Sequence, residues 1–459
     1  MDFFSTYPLL IEASIILILS FSFGEISKKT SIPSVLLLII LGAVVNLIMN
    51  ALKFPAFDFF PILQTLGTVG LIMIVLEAAL ELKLDKEKII PISIALGIAL
   101  VGLLLSTWVT AMILQYFIEG MDSLHAWIYA TPLSILSSAI IIPSVSNLRS
   151  DKKEFHIYES TFSDILGIMV FYFLLGKLPH GGENPGPGLL AQQPSAHEAV
   201  TDSLGRVITQ IPEQVQAAAE HSSGGSFLNF ALTTVLTIVL SIVFSYLIVF
   251  IFQRIKSSAK LFLLISVLLL LYSIGKLAHL SPLFIILIFG LVISNMDLFF
   301  RGPLKKWLDK KEAKEIYHGL HLVTLETAFV VRTFFFVIFG ITIVFSSLAD
   351  WEVIGVSALC LVSIYIIRFV ILRLSIGSDI KPQLYIAPRG LITVLLFYAI
   401  PAEAQVEGFS LGILLFIIIG TSLVMTWAMI VDKRRAGKAL GRAKANFVGE
   451  TKWKAPEIN

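Results

Sequence analysis

The feature that most constrains this chain is a series of apolar stretches of about twenty residues, separated by polar loops. At ~1.5 Å per helical residue, each is long enough to cross a hydrocarbon layer of ~30 Å. Lipid offers no hydrogen bonds, so runs of this length must satisfy their own backbone as helices. Composition agrees: 56% of the 459 residues are hydrophobic and 14% charged, against roughly a quarter charged in soluble domains. The pattern predicts an all-α polytopic membrane protein of about thirteen transmembrane helices. They are placed near residues 7–27, 32–52, 62–82, 89–118, 127–148, 155–177, 227–253, 260–278, 282–296, 320–347, 353–373, 383–401 and 410–431. The ninth is short and open to strong bending. The first lacks a basic leader and reads as a retained span rather than a cleaved signal.

Lys and Arg set the expected orientation. With the basic tail from Lys433 to Lys454 taken as cytoplasmic, alternate loops place 27 of the 34 basic residues on that side. The opposite side holds Lys53, Lys177, Arg206 and Lys276. The partition requires an odd number of spans, and gives an outside N-terminus and a cytoplasmic C-terminus in the cell membrane. Residues 1–431 form the transmembrane domain in this reading, and 432–459 a short basic tail anchored near anionic lipid. Residues 178–226, rich in Gly, Pro, Gln and Ser, read as an outer linker with an amphipathic helix near 203–220. Six spans precede this linker and six follow a connecting seventh, which points to an inverted repeat.

Against this background, a carboxylate in the middle of a span demands an explanation. Asp164 lies nine residues into 155–177, roughly 13–14 Å from the helix start. An Asp at that depth costs about 2.5–3.5 kcal/mol, and such residues mark ion or proton pathways. Ser160 shares its helix face at i,i+4, Ser163 adjoins it, and Thr161 lies one turn back. Together they offer the hard oxygen ligands of a small alkali cation, or a carboxylate that takes a proton instead. Glu159 on the same span and Arg368 on the eleventh fall at similar depth, and they are expected to pair as a structural staple. Arg332 lies close to Asp164 in depth; it could neutralise Asp164 or Glu77, or snorkel. Glu77 lies near a span end, where water is also in reach. His156, His318 and His321 read as surface residues.

Two spans carry helix breakers. The fifth, WIYATPLSILSSAIIIPSVSNL, holds Pro132 and Pro143 among Thr131, Ser134, Ser137, Ser138 and Ser144. The twelfth, LYIAPRGLITVLLFYAIP, is interrupted by Pro388, Arg389 and Gly390. Proline removes a backbone donor, and a broken helix survives in a membrane only where protein or a cavity satisfies the freed groups. Broken helices also aim their termini at bound ions. The alternatives are a kinked packing helix for the fifth span and an inner-surface cap with Arg389 snorkelling for the twelfth.

Several classes are excluded. The sequence has no phosphate-binding glycine loop, no HExxH and no Cys/His metal spacing. Its one cysteine, Cys360, permits no intrachain disulfide. An enzyme, a cofactor protein, a nucleic-acid partner and a nucleotide-driven pump are all unexpected.

The motifs have a family likeness. ESTFSDILGIM resembles the ESxxND segment on the sixth span of monovalent cation/proton antiporters of the sodium/proton exchanger type. APRGLITVLLFYAIP resembles their twelfth span, and YATPLSILSSAIIIP their unwound fifth. IPSVLLLIILGAVVN and LGTVGLIMIVLEAALELKL are similar to the second and third. The resemblance implies an inverted-repeat antiporter fold and a homodimer whose core moves like an elevator. It also implies an ion site framed by crossed, broken spans five and twelve. Asp164 matches the ion-binding Asp, so the only metal implied is the transported alkali cation, and Glu159 with Arg368 matches a salt bridge between spans six and eleven. Two departures stand out: Ser163 replaces the family Asn, and Thr131-Pro132 replaces Thr-Asp-Pro. The expectation is exchange of Na⁺, K⁺ or Li⁺ for H⁺, with Asp164, Ser163, Ser160 and Thr131 at the site. Rival readings are an ion-coupled transporter of another small solute, favoured if Arg332 or Arg389 faces the cavity, and an uncoupled K⁺ pathway.

Overall fold

A computed structural model describes residues 6–30, 32–51, 60–84, 88–145, 148–178, 226–255, 260–277, 282–300, 310–342, 350–401 and 404–450. Among these residues the secondary structure is helical, and eight segments are long and apolar enough to cross a membrane, with three shorter apolar helices beside them. The expected linker, with its amphipathic helix at 203–220, falls almost wholly outside the described residues.

The helices run α1 (Thr6–Thr30), α2 (Ser34–Ala51), α3 (Phe60–Glu81), α4 (Ile89–Phe117), α5 (Ser123–Ser134), α6 (Ser138–Ser144) and α7 (Ser150–Leu175). After the linker come α8 (Ser226–Phe252), α9 (Lys260–Leu277), α10 (Pro282–Ser294), α11 (Met296–Phe299), α12 (Lys310–Thr342) and α13 (Trp351–Ser375). A 3₁₀ turn at Gln383–Tyr385 leads to α14 (Leu391–Tyr398), and α15 (Leu411–Glu450) closes the chain. Each of the thirteen stretches expected from hydropathy carries helix.

The boundaries differ where polar residues continue a helix beyond the apolar window. α12 begins about ten residues before its predicted span, through KKEAKEIYHG, and α15 runs on to Glu450 instead of ending near 431. The first is rich in Lys and Glu and the second in Ala, Lys and Arg, strong helix formers that need no lipid. The ninth stretch does bend, at Asn295. That side chain donates to Leu82 O at 2.8 Å and accepts from Leu84 N at 2.6 Å, so it satisfies the end of α3 instead of continuing its own helix.

Packing divides the helices into two sets. α2 and α3 pack on α12, α10 on α3 and α8 on α10, while α4 gathers α5, α7 and α13, and α13 carries α15. α14 touches both sets, through α5 and α7 on one side and α3 on the other. Outward faces of α4, α8 and α13 expose Leu104, Trp108, Met112, Val239, Val243, Ile366 and Phe369. In water such a belt would be an aggregation surface; against acyl chains it is the expected lipid face.

The closest helix approach is glycine-made. A Cβ on Gly42 of α2 would fall 2.9 Å from Gly340 Cα of α12, and one on Gly340 would meet Gly42 Cα at 3.0 Å. Absence of side chains on both helices lets the backbones touch. Gly340→Val should therefore lower stability by about 1–3 kcal/mol through overpacking. Thermal melting of the detergent-purified protein checks this; an unchanged melting temperature would contradict the close contact.

Candidate functional site

The fifth stretch breaks between its two prolines, not at either of them. Pro132 stays within α5 and Pro143 within α6, and residues 135–137 are extended. The twelfth stretch is extended over 386–390, so Pro388, Arg389 and Gly390 lie inside the interruption, as expected. The two breaks meet: Ser137 N donates to Pro388 O at 2.9 Å. Gly390 is required there, because a Cβ would come within 2.6 Å of Ser137 Oγ.

α7 passes beside this meeting point and supplies two side chains to it. Ser163 Oγ accepts from Leu136 N at 3.0 Å, and Asp164 Oδ2 accepts a long bond from Ser138 N at 3.4 Å. Ser138 opens α6, so the carboxylate faces the N-terminus of a half-helix, where unpaired N–H groups favour negative charge. Asp164 is 2% exposed, and its Oδ1 has no hydrogen-bond partner among the described residues. It lines a cavity of ≈ 20 Å³ whose other walls are apolar, from Ile74, Val75 and Ala78 of α3 to Leu283 and Leu287 of α10. That is room for about one water-sized occupant.

Arg389 is the positive counterpart at the other half-helix end. Its backbone N donates to Thr421 Oγ1 at 3.0 Å, and its Nε donates to Leu133 O at 2.9 Å, near the C-terminus of α5. At 2% exposure it does not snorkel. A second cavity, ≈ 30 Å³, is lined by Ser106, Ser134, Ser163, Glu159, Arg368 and Arg389 among others.

Glu159 and Arg368 pair as depth suggested. Arg368 Nη1 and Nη2 donate to the two carboxylate oxygens at 2.7 and 2.9 Å, a bidentate fork, while Nε and Nη2 also bond Gln383 O. The bridge thus ties α7 and α13 to the turn that leads into the second break. Of the alternatives open for Arg332, the structure selects Glu77: its Nη2 donates to Glu77 Oε2 at 2.7 Å.

Two expected cation ligands are turned to their own helices. Thr131 Oγ1 donates to Trp127 O at 2.8 Å, and Ser160 Oγ to His156 O at 2.7 Å. Both are buried, and these bonds run along their own helices, not to Asp164. One reading is corrected: His156 is fully buried, not a surface residue, because α7 extends past the span end and packs it beneath Glu159. Its Nδ1 lies 3.3 Å from Glu159 Oε2 without hydrogen-bond geometry. His318 is exposed and His321 half-buried. Thr421 and the Gln383 carbonyl went unnoticed in the sequence, since each acts on an arginine of another segment and leaves no local pattern.

This geometry, a lone buried carboxylate at the junction of two broken helices, coincides with a family match. The description "Sodium/hydrogen exchanger, transmembrane" fits residues 15–431. The chain belongs to the sodium/hydrogen exchanger family. This exchanger shares its fold with the sodium proton antiporter MjNhaP1 from Methanocaldococcus jannaschii at pH 8, at 19% identity. That match covers 92% of this chain and 98% of the other, with a TM-score of 0.62. An electron-microscopy map of the same antiporter aligns at 20% identity over 98% of this chain and 100% of that one, with a TM-score of 0.55. No curated protein matches the exchanger by sequence. The family is one of transporters, not enzymes.

Ser163 accepts from Leu136 N in place of a helix bond lost at the first break. Ser163→Ala should leave that N–H unpaired at a cost of about 1–3 kcal/mol. Arg368→Ala should cost more, about 3–5 kcal/mol, by stranding Glu159. Comparing melting temperatures of the two variants tests this order; a milder effect for Arg368→Ala would contradict it.

Proposed function

We propose that this exchanger moves one monovalent cation (Na⁺, K⁺ or Li⁺) against one proton, and that both compete for Asp164. The observation that carries the reading is the unpartnered Asp164 Oδ1 in a cavity for one small occupant. A carboxylate stripped of water must be neutralised, and either a proton or a bare alkali cation does so. Asp164, Ser163 and the break carbonyls supply oxygen to the cation, with Ser160 and Thr131 contributing only after their hydroxyls leave their own helices. Ser163 adds no second acid beside Asp164, so one carboxylate is titrated per cycle and exchange is electroneutral.

Alternating access follows from the two packing sets. The set around α4, carrying the breaks and Asp164, slides as an elevator against the set around α12, which supplies the homodimer contact. The six-and-six arrangement of spans is an inverted repeat in this reading, with the N-terminus outside and the C-terminus in the cytoplasm of the cell.

The rival cargo of an organic solute loses its main support. Arg332 is committed to Glu77, and Arg389 faces a cavity of only ≈ 30 Å³.

Purified protein in liposomes with a trapped pH dye, given Na⁺, Li⁺ or K⁺, tests the proposal. Proton movement with at least one cation is expected, and none in Asp164→Asn, which keeps the shape of the site. Lowering pH should raise the apparent KM for the cation and leave Vmax at saturation unchanged, because protons occupy the same oxygens. Exchange by Asp164→Asn, or a KM independent of pH, would overturn the reading.

A further inference from the structure

Arg332 is the intramembrane charge that this exchange scheme leaves without a task. Its Nη2 binds Glu77 on α3 at 2.7 Å, its Nη1 lies 3.5 Å from Ala139 O on α6, and its Nε is unpartnered. Neither contact lines the Asp164 cavity, but both adjoin residues of the site. Ala139 follows Ser138, whose N–H bonds Asp164, and Glu77 lies between Val75 and Ala78, which form the cavity wall. The guanidinium therefore joins α12 to the wall of the cavity and to the first turn of the half-helix that faces the carboxylate.

The pair differs from Glu159–Arg368 in its contact with solvent. The Arg332 and Glu77 side chains are 16% and 15% exposed, against 9% and 1% for Arg368 and Glu159. Water in reach lowers the cost of parting two charges, so this pair is suited to opening and the other to holding. A second partner is at hand. Glu81 lies one turn along α3 on the same face as Glu77, within electrostatic reach of Arg332 and of Lys153 on α7.

We propose that Arg332 is a gate on the approach to Asp164. On Glu77 it closes the passage between α3 and α6, and a one-turn move to Glu81 opens it to a monovalent cation. In this scheme the guanidinium bars the cation's approach while it stays bound to Glu77. The inference rests on reading Asp164 as the cargo site, but its first readout does not need exchange.

Ala78→Cys places a reporter on the cavity wall, and the native Cys360 is fully buried and silent. Labelling of the full-length protein by a small cationic thiol reagent is timed with and without Arg332→Gln. Opening the gate should speed labelling at least ~fivefold, the factor given by ~1 kcal/mol of closure. Glu81→Gln, which removes the open-state partner, should slow it. In liposomes Arg332→Gln should lower the apparent KM for the cation, with the melting temperature unchanged. Arg332→Lys keeps the charge without the fork and should give intermediate labelling if the Gln variant does not fold. Labelling at the wild-type rate would overturn the gate. So would a drop in melting temperature and Vmax at constant KM, which would make the pair a structural staple. Wild-type protein that labels as expected but exchanges no cation would refute the exchange reading alone.

Discussion

Two helices broken inside a membrane leave backbone groups that neither water nor lipid can satisfy, and the rest of this structure depends on how those groups are paired. The breaks answer each other. Ser137 N reaches Pro388 O across the junction, Leu136 N reaches Ser163, and Ser138 N reaches Asp164. Arg389 returns the favour at the opposite polarity by donating to Leu133 O while Thr421 holds its backbone. An acid therefore faces one half-helix end and a base the other, each matched to the partial charge it meets. What makes the breaks tolerable is also what makes them a site. Asp164 has one oxygen engaged in this pairing and one left over, and the leftover oxygen is the functional atom of the proposed cycle.

The two membrane-embedded ion pairs divide the labour by burial. Glu159–Arg368 is bidentate, buried and tied further to Gln383 O, so it locks α7 and α13 to the turn before α14. Glu77–Arg332 uses one nitrogen, keeps part of its surface and joins α3 to α12 within one packing set, with a 3.5 Å contact from Arg332 to Ala139 O of α6. The same chemistry yields a staple in one place and a movable contact in the other. Geometry and access to water decide which.

Much of this was legible because lipid is a strict solvent. Apolar runs had to be helices, basic loops suggested an orientation, and any charge inside a run stood out. The Glu159–Arg368 pair followed from depth, and the second break from Pro388 and Gly390. The first break was harder to place. Its prolines stay within helical halves, because the freed carbonyls lie upstream of each ring and the chain opens between them at 135–137. His156 misled because span ends were set by hydropathy, whereas helix α7 extends beyond the apolar window and buries the ring. The partner of Arg332 was undetermined, since depth alone ranks Asp164 and Glu77 nearly alike and only lateral packing separates them. Thr421 and Gln383 act through bonds to residues 32 and 15 positions away, which no local pattern encodes.

The central claim is that cation and proton share one carboxylate, and counting protons at equilibrium tests it most directly. Detergent-purified protein in weak buffer is titrated with the transported cation while proton release is recorded alongside cation binding. The account predicts one proton released per chain at saturation, at a pH low enough for the site to start fully protonated, and none from Asp164→Asn. Cation binding with no proton released, or with two, would contradict a single shared site.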